Sequence, residues 1–483
     1  MNLSEYTAFD GLGLAELVSR GEVSAAELES AALRALAAVN PQINAVVEHW
    51  PSEVDPAGRA PLGAAPFHGV PFLIKDLGVS MAGKRGEFGS RLAKGSVAPA
   101  DTTLMRRFRE AGLVTLGRTN CPEMAISTTT EPVLHGATRN PWNLALTPGG
   151  SSGGAAAAVA AGIVPLAHAN DAGGSIRVPA ALCGLFGMKP TRGRVSNGPD
   201  LDEVFSGLGV QLGVSRTVRD SAALLDAIAG VEVGEPYSTA PPARTFLSEV
   251  GRDPGELRIG VMTRAWNGAC SAPAVQEAAL AAARHCESLG HHVETTSLDL
   301  GVDWDAFVHA CAHIFASHLV AWIDAIAAGT GRLADASTLE PATLTCYRYG
   351  RAARAVDLIG ALAIRNLVTR HVGQFFARYD VLLTPTLPTL SLPLGKYAEG
   401  VESLDGPGWL RRVFDHSPFT PLFNMAGTPA MSVPLAEDAA TRLPIGVQFA
   451  AGFGREDQLF RLAGQLERTL PWAGRRAAVW AGA

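Results

Sequence analysis

Apolar residues return at helical spacing between positions 11 and 40, in LGLAELVSR and again in SAAELESAALRALAAVN, and predict two helices. Ser24 followed three residues later by Glu27 marks the start of the second, since each side chain can satisfy a backbone N–H that the first turn leaves free. Asn40-Pro41 predicts its end. INAVVEHW reads as a strand, and residues 51–66 as a loop rich in Pro, Gly and Ala. Val70 to Ile74 is a short apolar strand that closes on Lys75-Asp76. An amphipathic helix follows in TTLMRRFREAG, ended by Gly112, and then a strand in LVTLGRT. Residues 70–118 thus form a strand–helix–strand unit of the α/β kind. Residues 120–143 hold few periodic apolar positions and many turn formers, which predicts a long loop region.

AAAAVAAGI, at 155–163, predicts a buried helix whose small side chains let neighbouring backbones come near. Alternation resumes with a strand in LRIGVM, a helix in APAVQEAALAAARHCESLG and a strand in HHVETTSLD. Residues 303–375 read as a long helical region with an apolar stripe of Trp304, Phe307, Cys311, Phe315, Leu319 and Trp322. Strands in YDVLLTP, PAMSVPL and IGVQFAA and a final helix in EDQLFRLAGQLERTL complete the chain. No linker or fixed repeat divides these elements, and the strands before and after the central stretch read as one sheet. One α/β domain, 1–483, is expected.

Length changes that picture little. At 483 residues the chain is long enough for several domains, but its alternation is unbroken. Hydrophobic residues at 47% and charged ones at 18% fit a large globular core. The net charge of −6 comes without any block of like charges, which argues against a nucleic acid or a membrane surface as partner. The first residues carry early acids and no signal-peptide pattern, so a cytoplasmic location is expected. No uninterrupted apolar run has the length to span a bilayer; the alanine-rich helix comes nearest. Six cysteines, without a C-x-x-C pair, suggest neither a disulfide framework nor a metal site.

The candidate chemistry sits in two glycine clusters flanking the alanine-rich helix, Gly149-Gly150-Ser151-Ser152-Gly153-Gly154 and Asp171-Ala172-Gly173-Gly174-Ser175. The first satisfies G-x-S-x-G, the nucleophile-elbow pattern, but Pro148 is poorly placed for the strand that pattern requires. A phosphate cradle would need Gly-Lys-Ser/Thr at the loop's end, and a dinucleotide fingerprint G-x-G-x-x-G after a strand; neither is present. The third possibility joins both clusters to Lys75. A serine needs a base, and neither His135 nor His168 has an identifiable acidic partner. A lysine can serve if burial lowers its pKa, although Lys75 by itself also reads as a lysine leaving a sheet for water.

GGSSGG, followed by DAGGSIRVPA and then GMKPTRGR, closely resembles the mark of the amidase signature family, with the expected 24 positions between Ser151 and Ser175. GVPFLIKD, GLVTLGRTNCPEM, NMAGTPAMSVP and LPIGVQF resemble its flanking segments. The resemblance implies a mixed central sheet covered by helices on both faces, a catalytic core over about 65–220 and a variable helical region over about 300–380. It implies Ser175 as nucleophile, Ser151 after a cis peptide bond as proton relay, and Lys75 as base. The N–H groups of Ala172, Gly173, Gly174 and Ser175 would form the oxyanion hole, with Gly150, Ser152, Asp171 and Arg177 as structural support. No cofactor or metal is implied. The expected partner is a small-molecule amide, with a homodimer left open.

Three departures narrow the subgroup. Val178 stands where the tRNA-dependent amidotransferase subunit usually has Gln, no N-terminal membrane segment resembles that of the fatty-acid amide hydrolases, and Ala169-Asn170 replaces the common Gly-Thr. AHANDAGGSIR resembles the bacterial branch that includes 6-aminohexanoate cyclic-dimer hydrolase and aryl acylamidases. Hydrophobic, aryl, linear or cyclic amides are the expected substrates, with carbamate or ester hydrolysis and an amidotransferase subunit as alternatives. Asn120, Thr128, Thr129, Thr130, Cys311 and Phe315 are the candidate substrate contacts.

Overall fold

Alternation of strand and helix resolves into two sheets in the computed structural model, which describes residues 1–50, 65–201 and 203–483. Strands β1 (Val46–His49), β2 (Pro71–Lys75) and β3 (Val114–Thr119) form a small sheet of order β1-β3-β2. Strands β4 (Leu166–Asp171), β5 (Phe186–Lys189), β6 (Val210–Ser215), β7 (Arg258–Val261), β8 (His292–Thr295), β9 (Val381–Pro385), β10 (Ala430–Glu437) and β11 (Pro444–Ala451) form a mixed sheet of order β4-β6-β5-β10-β11-β9-β7-β8. β2 and β3 run parallel, Pro71 opposite Val114 and Lys75 opposite Thr119, because the helix Thr103–Glu110 carries the chain back between them. The helix Pro273–Ser288 does the same for the parallel pair β7 and β8, whereas β10 and β11 pair antiparallel.

Side chains alternate across the large sheet. Val381 and Leu383 of β9 pack into a layer that includes the helices Ala25–Ile43, Gly153–Ala160, Val218–Ile228 and Glu456–Thr469. Leu382, between them, packs into the opposite layer, with Trp304–Thr330, Ala355–Phe376 and Gly406–His416. Helices therefore cover both faces of a mixed sheet, as expected.

Three expectations change. The strands before the central stretch do not join the large sheet: β2 lies beside β4, and there the N–H of Lys75 donates to Nδ1 of His168 at 3.2 Å. The second helix runs past Asn40-Pro41 to Ile43, with Pro41 in its last turn and Asn44 as a left-handed cap. Among the described residues the helix long and apolar enough to cross a bilayer, by length and composition only, is Trp304–Thr330, 27 residues holding an 18-residue window of mean hydropathy 1.5, and not the alanine-rich one. Its stripe from Trp304 to Leu319 is buried in the core. The long helical region expected over 303–375 is present, as the three helices Trp304–Thr330, Pro341–Ala352 and Ala355–Phe376. Residues 51–64 of the expected loop lie outside the described residues.

Candidate active site

The helix Gly153–Ala160 is buried along its whole length, and its first residues show why glycine is required. A Cβ on Gly154 would meet the backbone of Asn120 at 2.5 Å, and one on Gly153 would meet Oγ1 of Thr130 at 2.3 Å. Gly150 is equally confined, with the Thr129 carbonyl oxygen 2.6 Å from the place of its Cβ. These close approaches hold the loop between the long polar segment and the helix. The Gly150–Ser151 peptide within it is cis.

Lys75, the last residue of β2, is wholly buried. Its Nζ lies 2.6 Å from Oγ of Ser151, 3.0 Å from Oγ of Ser152 and 2.6 Å from Oδ1 of Asn170. Burial lowers its pKa from 10.5 to about 8, against smaller opposing influences from Cys121 and Asp171. A carboxylate in contact would have locked the ammonium; the neighbours are instead neutral oxygens. His168 is also buried, and burial pushes it down to about 3, so its imidazole is neutral. It accepts from the Lys75 N–H, and its Nε2 meets Oε1 of Gln211 at 3.0 Å, which ties the end of β2 to the large sheet. The partner that its sequence context lacked is thus an amide, and His168 positions backbone.

The second cluster is a loop at the end of β4 wrapped around Asp171. Burial raises that carboxyl, but the Arg177 guanidinium, Lys189 and Asn424 outweigh it and hold the pKa at about 2. Arg177, also fully buried, bonds both Asp171 oxygens, at 3.0 and 2.9 Å, and spends its other N–H groups on the Thr420 carbonyl, Gln448 and Asn424. Every charge here is compensated. Replacing Arg177 by methionine strands the carboxylate and is expected to lower stability by about 3–5 kcal/mol, measured by denaturant unfolding at neutral pH. The loss shrinks in acid: a depressed carboxyl pKa contributes stability above pH 3.8 that disappears as the pH falls through about 2.

Asp171 also takes the Gly174 N–H, at 2.8 Å. This corrects the expected oxyanion hole, because a donor turned to a carboxylate is not available to a substrate oxygen. The N–H groups of Ala172, Gly173 and Ser175 have no acceptor among the described residues. Gly174 itself has φ +139, a conformation open chiefly to glycine.

Ser151, Asn170 and the loop from Asp171 to Ser175 line one cleft of about 690 Å³, part of it open to solvent. An apolar part of its lining is built from Phe205, Phe315, Trp322, Leu410, Val413 and Phe414. Phe315 stacks on Phe205 with ring centres 4.3 Å apart. Of the candidate contacts, Thr128 and Phe315 line this cleft. The other four do not. Asn120 turns its amide to the Gly136 carbonyl and Thr138, Thr129 bonds Ser127, and Thr130 clamps the serine loop by donating to the Gly149 carbonyl. Cys311 is buried in the core behind Phe315. Helical spacing could not separate these cases, since Cys311 and Phe315 are four residues apart on one face. Asn170 and Gln211 also take part, and the sequence signals them only through Ala169-Asn170, which stands where Gly-Thr is common.

The family model described as Amidase matches residues 27–460. A 6-aminohexanoate-cyclic-dimer hydrolase of Paenarthrobacter ureafaciens is 38% identical, over 97% of this chain and 96% of its own, and one from Pseudomonas sp. (strain NK87) is 37% identical over the same shares. A solved structure of 6-aminohexanoate cyclic dimer hydrolase superimposes with a TM-score of 0.93 at 36% identity, covering 99% of each chain. A mixed sheet between two helical layers, a glycine-cradled serine loop beside a buried lysine, and relatives matched nearly end to end agree: the chain belongs to the amidase signature family of amide-hydrolysing enzymes.

Proposed function

We propose that the protein hydrolyses small uncharged amides through an acyl-enzyme on Ser175, with Ser151 relaying the proton and Lys75 as base. The observation that carries this is the contact of the buried Lys75 Nζ with Ser151, 2.6 Å away, in a cleft that Ser151 shares with Ser175. In the neutral amine form, Lys75 draws the proton of Ser151 as Ser151 draws that of Ser175, and Ser175 Oγ bonds to the carbonyl carbon. The oxyanion that results meets the free N–H groups of Ala172, Gly173 and Ser175. The proton returns through Ser151 to the amide nitrogen, the C–N bond breaks and an amine leaves. Water, activated by the same relay, then cleaves the ester to acid and free Ser175.

The substrate class follows from the walls. Asp171 is the one charged residue among the lining residues described, and Arg177 already occupies it. A substrate ammonium or carboxylate would lie there without a counter-charge, at a cost of several kcal/mol. A neutral amide with apolar flanks, cyclic or aryl, fits the aromatic wall and accords with the names of the relatives. Carbamates and esters share the acyl chemistry, and turnover of matched p-nitroanilide, p-nitrophenyl ester and carbamate compounds ranks the three. The six cysteines, all unpaired, support a reducing, cytoplasmic location. The direct test is incubation with a fluorophosphonate followed by peptide mapping. One adduct on Ser175 is expected, and an adduct on Ser151 overturns the assignment.

A further inference from the structure

Neutral Nζ of Lys75 has two N–H bonds and one lone pair, but three oxygens surround it. Asn170 Oδ1 carries no hydrogen and can only accept. The amide cannot be reversed, because its Nδ2 donates to the Leu77 carbonyl at 2.8 Å, and a flipped amide would set oxygen against oxygen there and nitrogen against Nζ. Ser152 has a hydrogen, but its hydroxyl is directed to the Asn170 carbonyl at 3.3 Å, so toward Nζ it too accepts. Both N–H bonds of the neutral amine are then spent. The third neighbour, Ser151, is left facing the lone pair.

We infer that Asn170 is a positioning residue of the relay: its side-chain oxygen, with Ser152, occupies the two N–H bonds of neutral Lys75 and thereby aims the lone pair at the Ser151 hydroxyl. The direction of proton transfer is set before substrate arrives, with Ser151 as donor to Lys75 and its own oxygen free to receive the Ser175 proton. A neutral amide suits this task and a carboxylate does not. Asp in the same place would hold the proton on Nζ and leave no lone pair to aim. The position also lines the cleft, yet Asn170 makes its bonds to protein groups, which predicts an effect on turnover and not on substrate affinity.

The inference rests on the proposed Ser175–Ser151–Lys75 relay, and its test separates the two. Wild type, Asn170→Ala and Asn170→Asp are compared by kcat and KM for one neutral amide across pH, by fluorophosphonate mapping and by thermal melting. Asn170→Ala is expected to lower kcat by on the order of 10²-fold with KM little changed, as loss of orientation in a relay does. Asn170→Asp is expected to raise the acid limb of kcat/KM by about 1–3 pH units, with activity partly recovered above the new limb. That recovery is a readout that a damaged fold does not produce. If Ser175 is labelled and wild type shows its limb, but Asn170→Asp leaves the limb in place or Asn170→Ala retains full kcat, the positioning role is wrong. If wild type has no acid limb, or the label lies elsewhere, the relay itself is wrong. Should either variant fail to melt cooperatively, Ser152→Ala tests the same idea: removal of the second acceptor is expected to lower kcat with KM held, and unchanged kcat overturns it.

Discussion

Ser175→Ala is expected to lower kcat/KM for an amide by on the order of 10⁵- to 10⁶-fold and to leave the melting temperature within a few degrees of wild type. The loss is large because the other hydroxyls near the cleft are already engaged, Ser127 with Thr129 and Thr128 with Nδ1 of His416. Ser151 spends its hydroxyl on Lys75, and Ser152 is turned to Lys75 and the Asn170 carbonyl. The fold is spared because Ser175 is half-buried and its side chain carries none of the bonds that hold the loop; these run through Asp171, Arg177 and Asn424. Steady-state kinetics and a melting curve check both halves. Retention of even a hundredth of the activity would place the nucleophile elsewhere.

Lys75→Ala is expected to cost on the order of 10³- to 10⁵-fold in kcat, and also to remove the wild-type acid limb near pH 8. The base must be neutral to act, so wild-type activity rises as the pH passes about 8, while the variant has nothing left to titrate there. Stability should change in the same range of pH. The native pKa of Lys75 lies below its unfolded value of 10.5, so the unfolded chain binds more protons between about 8 and 10.5, and wild-type stability gains from Lys75 as the pH rises through that window. Lys75→Ala should lose that gain, which denaturant melts across the window can follow. Because the relay acts as a unit, Lys75→Ala with Ser175→Ala should be little worse than Ser175→Ala alone. Full turnover in Lys75→Ala at neutral pH would remove lysine from the mechanism.

The elements that announced themselves were those with strong periodicity or a local cap. Ser24 and Glu27 form the reciprocal cap that their spacing suggested, and Gly112 and Gly290 close their helices with positive φ. β10 and β11 follow their apolar runs. β4 did not, although it holds both Asn170 and the start of the nucleophile loop. LAHAND has no β-branched residue and no alternation, since every side chain in it is buried, and its extended form comes from pairing with β6 along its whole length. The separation of β1–β3 from the large sheet is likewise a matter of contact between distant segments: a histidine side chain, not a strand edge, meets the end of β2.

The same division runs through the site. Glycine clusters, serine spacing and a lysine at a strand's end were visible along the chain because each is a local demand. Glycine is required where another backbone comes within 2.6 Å, and serine where a hydroxyl must stand on a loop. Which hydroxyl faces which nitrogen was decided only by tertiary structure, which buries Lys75, brings Asn170 from 95 residues away to its Nζ, turns Gly174 toward Asp171 and leaves Thr130 and Cys311 behind the wall. Hydrogen bonds and burial depend on groups far apart in sequence, so the residue types named the chemistry and the packing assigned the parts.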